Sequence, residues 1–120
     1  MTEENLQAAL KKFEALVREQ SERSDRIKAD KEFIDYDKLD KIIIGVCGGD
    51  GIGPIITKES ARVLEYMLDD EVKAGKVEFK VIDGLTIENR IEHMKAIPDD
   101  VLAELKSCHV ILKGPTPTPQ

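Results

Sequence analysis

The chain has no tryptophan, and its aromatic residues are two tyrosines and three phenylalanines among 120 residues. Its core must therefore be built from Ile, Leu, Val and Ala, which suits a parallel α/β sheet better than a β-sandwich. Cysteine is scarce as well. Cys47 and Cys108 lie far apart in apolar runs without metal-ligand spacing, and both read as small buried hydrophobes rather than as a disulfide or metal pair. There is no excess of basic charge: 18 Lys and Arg stand against 24 Asp and Glu, for a net charge of -6. A nucleic-acid binder needs a basic patch to neutralise phosphates, so that class is excluded. No stretch approaches the length of a membrane span, and the N-terminus carries no apolar signal region. A cytoplasmic protein without a membrane partner is the expectation.

Residues 3–28 are charged, free of Gly and Pro, and helical in period. Leu6, Leu10, Phe13 and Val17 recur at spacings that place them on one face, which Ala9 and Leu16 widen. Thr2 and Asn5 are placed to cap this helix. Its apolar face suits either packing within its own domain or a subunit contact. Residues 29–40 have no clear period and read as a connector, with Phe33, Ile34 and Tyr36 as candidate anchors.

The pattern then changes. Ile42, Ile43, Ile44, Val46 and Cys47 form a short continuous apolar run, as expected of a strand covered on both faces. Pro54 stands where a first helical turn tolerates it. Ile55, Ile56, Ala61, Val63, Leu64, Met67 and Leu68 carry a helical stripe that runs to about Ala74, with Gly75 as its left-handed cap. Val77, Phe79 and Val81 alternate with polar residues in a second strand, and Asp83-Gly84 makes a turn. Residues 85–96 are ambiguous. Pro98-Asp99-Asp100 opens a further helix whose acids complement the helix dipole, with Val101, Leu102 and Leu105 on its inner face. His109–Leu112 reads as a short buried strand. The order helix, strand, helix, strand, helix, strand implies βαβ units, a mostly parallel sheet and helices on both faces.

Between the first strand and its helix lies Gly48-Gly49-Asp50-Gly51-Ile52-Gly53-Pro54, with four glycines in seven positions. Gly49 and Gly51 satisfy the first half of the Gly-x-Gly-x-x-Gly dinucleotide fingerprint, but the third glycine is replaced by Pro54, so the fingerprint fails. No Gly-Lys-Ser/Thr follows, so a P-loop fails too. Two readings remain open on chemistry alone: a tight turn without a ligand, or a backbone surface against which a flat ring lies with Ile52 as an apolar contact. Asp50 is placed to accept backbone N–H groups in the turn or at the helix start.

Gly49-Asp50-Gly51-Ile52-Gly53-Pro54 after an apolar strand, followed by Leu112-Lys113-Gly114-Pro115-Thr116-Pro117-Thr118-Pro119, resembles the isocitrate/isopropylmalate dehydrogenase family. The resemblance covers residues 41–120, and its Lys-Gly-Pro-Thr form is nearer to isocitrate dehydrogenases. Residues 1–40, the helical extension and connector read above from their pattern, have no counterpart in the family's common core, and the resemblance implies that 41–120 are the N-terminal part of the family's large domain. It also implies oxidative decarboxylation of a 2-hydroxy acid, with hydride passing to NAD or NADP and Mg or Mn stabilising the enolate. By that resemblance Ile52, Thr116 and Thr118 contact the cofactor and Lys113 lies near a substrate carboxylate. Pro117 departs from the family pattern, since many relatives carry a polar residue there.

Members of that family are several times longer. Their substrate arginines, acid–base tyrosine and lysine, and metal-holding aspartates lie beyond the Lys-Gly-Pro loop. No catalytic residue and no metal ligand is therefore expected in this chain, and Arg90, Asp99 and Asp100 are not assigned to those roles. The chain alone is expected to be inactive, and the full-length protein a homodimer. A non-catalytic subunit or interaction module that keeps the scaffold is the alternative.

Overall fold

The computed structural model describes residues 2–30 and 33–118. The chain divides into two compact units, 1–35 and 36–120.

The first unit is one helix, α1 (Glu3–Ala29). Thr2 caps it as expected, its hydroxyl accepting the Asn5 amide at 3.3 Å. Glu3 and Glu4 in the first turn and Arg26 and Lys28 in the last complement the helix dipole. None of its residues is buried. Phe33 and Ile34 do not act as anchors: no regular element forms around them to turn them inward, and Phe33 is 95% exposed.

The second unit opens with a 3-10 turn at Tyr36–Lys38. There the Tyr36 hydroxyl donates to the His109 carbonyl at 3.3 Å, so Tyr36 is the one candidate anchor that finds a partner. The elements that follow are β1 (Ile42–Cys47), α2 (Gly53–Met67), α3 (Asp69–Lys73), β2 (Val77–Val81), α4 (Ile87–Glu92), α5 (Asp99–Lys106) and β3 (Val110–Lys113). The three strands form one parallel sheet in the order β2-β1-β3.

Register explains how the helices are distributed. Ile44 lies beside Phe79 and Val46 beside Val81, so these four share a face. The buried Thr57 and Ala61 of α2 lie over that face. Gly45 and Cys47 point the other way. There Cys47, Ile82, Leu85, Val101 and Leu105 form the core, which places α5 on the opposite face from α2. Gly45 has a packing reason: a side chain at this position would meet Cys108 Sγ and Ile82 Cδ1 at 2.9 Å.

Three expectations need correction. The helix after the glycine loop does not run unbroken to Ala74. It stops at Leu68, and α3 restarts with Asp69, Asp70 and Glu71, three acids that favour a helix N-terminus. Gly75 does end it, at φ +73, with Lys76 N–H on the Glu71 carbonyl and Gly75 N–H on that of Val72. Second, the inner face of α2 is Gly53, Thr57 and Ala61, while Ile55, Ile56 and Met67 are exposed. Small residues face the sheet because they let the helix approach closely. Third, β3 is not buried. It pairs with β1 alone, and Val110 and Ile111 are exposed. On β2 the cover declines along the strand, from buried Val77 to Val81 at 70% exposure.

Candidate functional site

Open parallel sheets bind ligands beyond the carboxyl ends of their strands. Here β1 and β3 are neighbours, and the loops that leave them are built into each other. The Gly114 amide donates to the Cys47 carbonyl at 2.8 Å, and the Asp50 amide donates to the Pro115 carbonyl at 2.9 Å. Backbone passes so close to backbone that side chains are excluded. A Cβ on Gly114 would sit 2.0 Å from the Gly48 oxygen and 2.7 Å from Thr57 Oγ1. A Cβ on Gly49 would sit 2.2 Å from the Pro115 oxygen, and Gly49 has φ +69. These glycines serve the contact between the two loops. Gly51 differs. Nothing lies within 4 Å of its Cβ position, and only its φ of +58 favours glycine there. The loop tip, Gly51-Ile52, stands open to solvent, and Gly48, Gly49 and Pro54 line the edge of a neighbouring cleft. Ile52 is 63% exposed and stands at the N-cap of α2 without a side-chain cap bond.

Asp50 behaves differently from expectation. It caps neither its own turn nor α2. Its Oδ1 accepts the Ile87 amide at 2.8 Å, at the start of α4, and its Oδ2 is buried without a partner. The ambiguous stretch 85–96 thus owes its helix in part to a carboxylate from the glycine loop. Thr86 adds the N-cap bond, accepting the Asn89 amide at 3.4 Å, and Asn89 Nδ2 donates to the Gly84 carbonyl at 2.7 Å.

On the other loop, Lys113 Nζ donates to the Gly114 carbonyl at 2.9 Å and to Thr116 Oγ1 at 3.0 Å. Lys113 and Thr116 are therefore together, and the ammonium is held over its own loop. Thr118 is exposed. The carbonyl of Pro117 accepts from Arg90 Nη1 at 2.7 Å, while Arg90 Nε donates to the Ala96 carbonyl at 2.8 Å. Sequence reasoning assigned Arg90 no role in the site. Its partners are backbone oxygens, which leave no sequence signal.

A cleft of about 600 Å³ opens beside this region, over Val46 and Phe79, with Lys58, Arg62 and Thr86 at its rim. None of Ile52, Lys113, Thr116 and Thr118 lines it. Among the described residues no group of three or more His, Cys, Asp or Glu side chains could hold a metal ion. His109 serves the sheet: its Nδ1 accepts the Ile43 amide at 2.9 Å. His93 lies on the surface beside the Asn89 carbonyl. Both cysteines are free; burial pushes the Cys47 thiol up, against a smaller lowering from its hydrogen bond to the Gly49 backbone. No helix among the described residues is long and apolar enough to cross a membrane.

With this geometry in view, comparison with known proteins finds one informative similarity. Over 75 residues, 62% of this chain, the sequence is 33% identical to a 3-isopropylmalate dehydrogenase from Chromohalobacter salexigens. The matched stretch spans a fifth of that relative's length. No family model and no solved structure matches. Part of this α/β unit is thus similar to part of a dehydrogenase.

Proposed function

We propose that residues 41–120 are part of the large domain of an NAD- or NADP-dependent dehydrogenase that oxidatively decarboxylates a 2-hydroxy acid, nearer to isocitrate dehydrogenases than to isopropylmalate dehydrogenases. The observation that carries this reading is the interlock of the Gly49–Pro54 and Lys113–Thr118 loops at the ends of adjacent parallel strands, at the place where such sheets take ligands. The similarity to a 3-isopropylmalate dehydrogenase supports the dehydrogenase part of this reading, while the isocitrate preference rests on the Lys113-Gly114-Pro115-Thr116 form alone.

In this reading Ile52 offers an exposed apolar contact to the flat ring of the cofactor, and Thr116 and Thr118 offer hydroxyls near its nicotinamide end. The nicotinamide, when bound, accepts the hydride. Lys113 supplies a cation to the carboxylate of a small 2-hydroxy acid, which requires its ammonium to leave the Gly114 carbonyl and Thr116 hydroxyl it now holds. Arg90 keeps the threonine loop in place through the Pro117 carbonyl. The described residues do not fit Mg or Mn, so no step of the chemistry is assigned to a metal on this chain. In this reading the described residues bind without turnover, since no cluster among them could hold the metal.

The test is a titration of the labelled chain with NAD, NADP, isocitrate and 3-isopropylmalate, followed by amide chemical shifts. Shifts concentrated at Ile52, Lys113, Thr116 and Thr118 are expected, with no reduction of the cofactor. Silence at all four residues at millimolar ligand would reject the site. A second reading, a non-catalytic interaction module, is favoured by one observation: Ile55, Met67, Val81 and Val110 all leave apolar surface open.

A further inference from the structure

The helix α1 carries no buried residue, yet its apolar side chains are regularly arranged. Leu6, Leu10, Phe13 and Val17 alternate at spacings of four and three, and the same rhythm continues through Gln20 and Ser24 to Ile27. This is the 3.5-residue period of a helix-pairing seam, not the broader stripe of a helix lying on a sheet. A lone helix of this kind gains little from propensity and needs a partner for its seam. Leu10, Phe13, Leu16 and Val17 are each half exposed or more, and apolar side chains left open along one face mark an association surface.

We propose that this seam pairs with the same helix of a second copy, and that the two run antiparallel. The reason is self-complementarity under a two-fold axis. Antiparallel pairing brings Leu10 opposite Phe13 and Leu6 opposite Val17 of the second copy. Symmetry repeats both pairs, giving four consecutive all-apolar layers. Ala9 and Leu16 face each other beside the seam. The polar Gln20 falls opposite Glu3, at the end of the contact, and Arg23 comes opposite Thr2, past the last apolar layer. Parallel pairing is poorer on each count. It stacks Gln20 on Gln20 and Ser24 on Ser24, and it sets Arg23 against Lys28 twice. It also brings the acidic remainder of both chains to the same end. The inference is independent of the dehydrogenase reading, since it uses residues 3–28 alone.

Sedimentation equilibrium of the full chain, from micromolar to several hundred micromolar, tests it. A monomer–dimer equilibrium is expected. Phe13→Glu should weaken it more than about tenfold, since it places a charge in a buried layer. A variant with Leu6→Cys and Val17→Cys should, on mild oxidation, give an interchain bridge between positions 6 and 17 by peptide mapping. A monomer throughout, or a dimer indifferent to Phe13→Glu, rejects the proposal. Bridges joining 6 to 6 and 17 to 17 reject the antiparallel arrangement. The same Phe13→Glu substitution leaving a monomeric chain with altered amide shifts in residues 36–118 would show the seam docking on its own chain, and would equally overturn it.

Discussion

The Asp50 carboxylate accepts the Ile87 amide at 2.8 Å and so fastens the glycine loop to the first turn of α4. The six-residue α4 is too short to stand by itself, and this bond with the Thr86 cap holds its N-terminus. Asp50→Ala leaves a partly buried amide without an acceptor. Unfolding in urea should show a loss of about 1–3 kcal/mol. Asp50→Asn keeps an acceptor and should lose clearly less, and equal losses for the two variants would count against this role.

The glycines of the two loops separate into two kinds, and alanine substitution should tell them apart. Gly114→Ala drives a methyl into the Gly48 oxygen and the Thr57 hydroxyl, and should cost at least about 3 kcal/mol. Gly51→Ala meets open space and suffers only its positive φ, for about 1–2 kcal/mol. The check is chemical denaturation of both variants side by side.

Arg90 forks between Ala96 and Pro117. Arg90→Ala should release the Thr116–Thr118 loop, seen as faster amide hydrogen exchange at both threonines with little change in β1. Arg90→Lys should restore only part of the protection, because an ammonium does not reproduce the planar two-way fork.

The ion pair of Lys41 with Glu78 at 2.8 Å sets an acid-side pH dependence. The hydrogen bond and then the charge of Lys41 hold the Glu78 carboxyl below its ordinary value of 4.5. A depressed carboxyl contributes stability above that ordinary value and loses it as pH falls through the folded-state value. Lys41→Met should flatten the stability curve in that window, and added salt should do the same to the parent chain because the pair is exposed.

The Cys47 thiol is raised by burial, so its contribution runs the other way. Stability is complete below the ordinary thiol value of 9.0 and declines as pH rises beyond it. At pH 8 an alkylating reagent should modify half-buried Cys108 well before Cys47, which is 1% exposed. Peptide mapping over a time course reads the order.

Much of the α/β unit is legible in residues 42–113 because local signals and tertiary structure agree there. The apolar run of β1, Pro54 at the start of α2 and Gly75 at the end of α3 each have a local cause. The inner face of α2 was not legible, since hydrophobicity points to Ile55 and Met67 whereas close approach to the sheet selects Thr57 and Ala61. In the candidate site, the Lys113–Thr116 contact follows from two residues three apart on one loop. The Asp50–Ile87 and Arg90–Pro117 bonds join side chains to distant backbone atoms, and any residue type can supply a backbone atom.

The interlock of the two loops also bears on how the chain reaches this state. Its bonds join segments near opposite ends of the second unit, and Tyr36 and His109 add another contact of the same long reach. Such contacts are closed only after the intervening chain has collapsed, and they slow the folding of the topologies that contain them. The loop tip at Gly51-Ile52 can therefore take its shape only when β3 has docked. That loop surface is the last part of this unit to come into existence and, by the same reasoning, the first to be lost when β3 detaches.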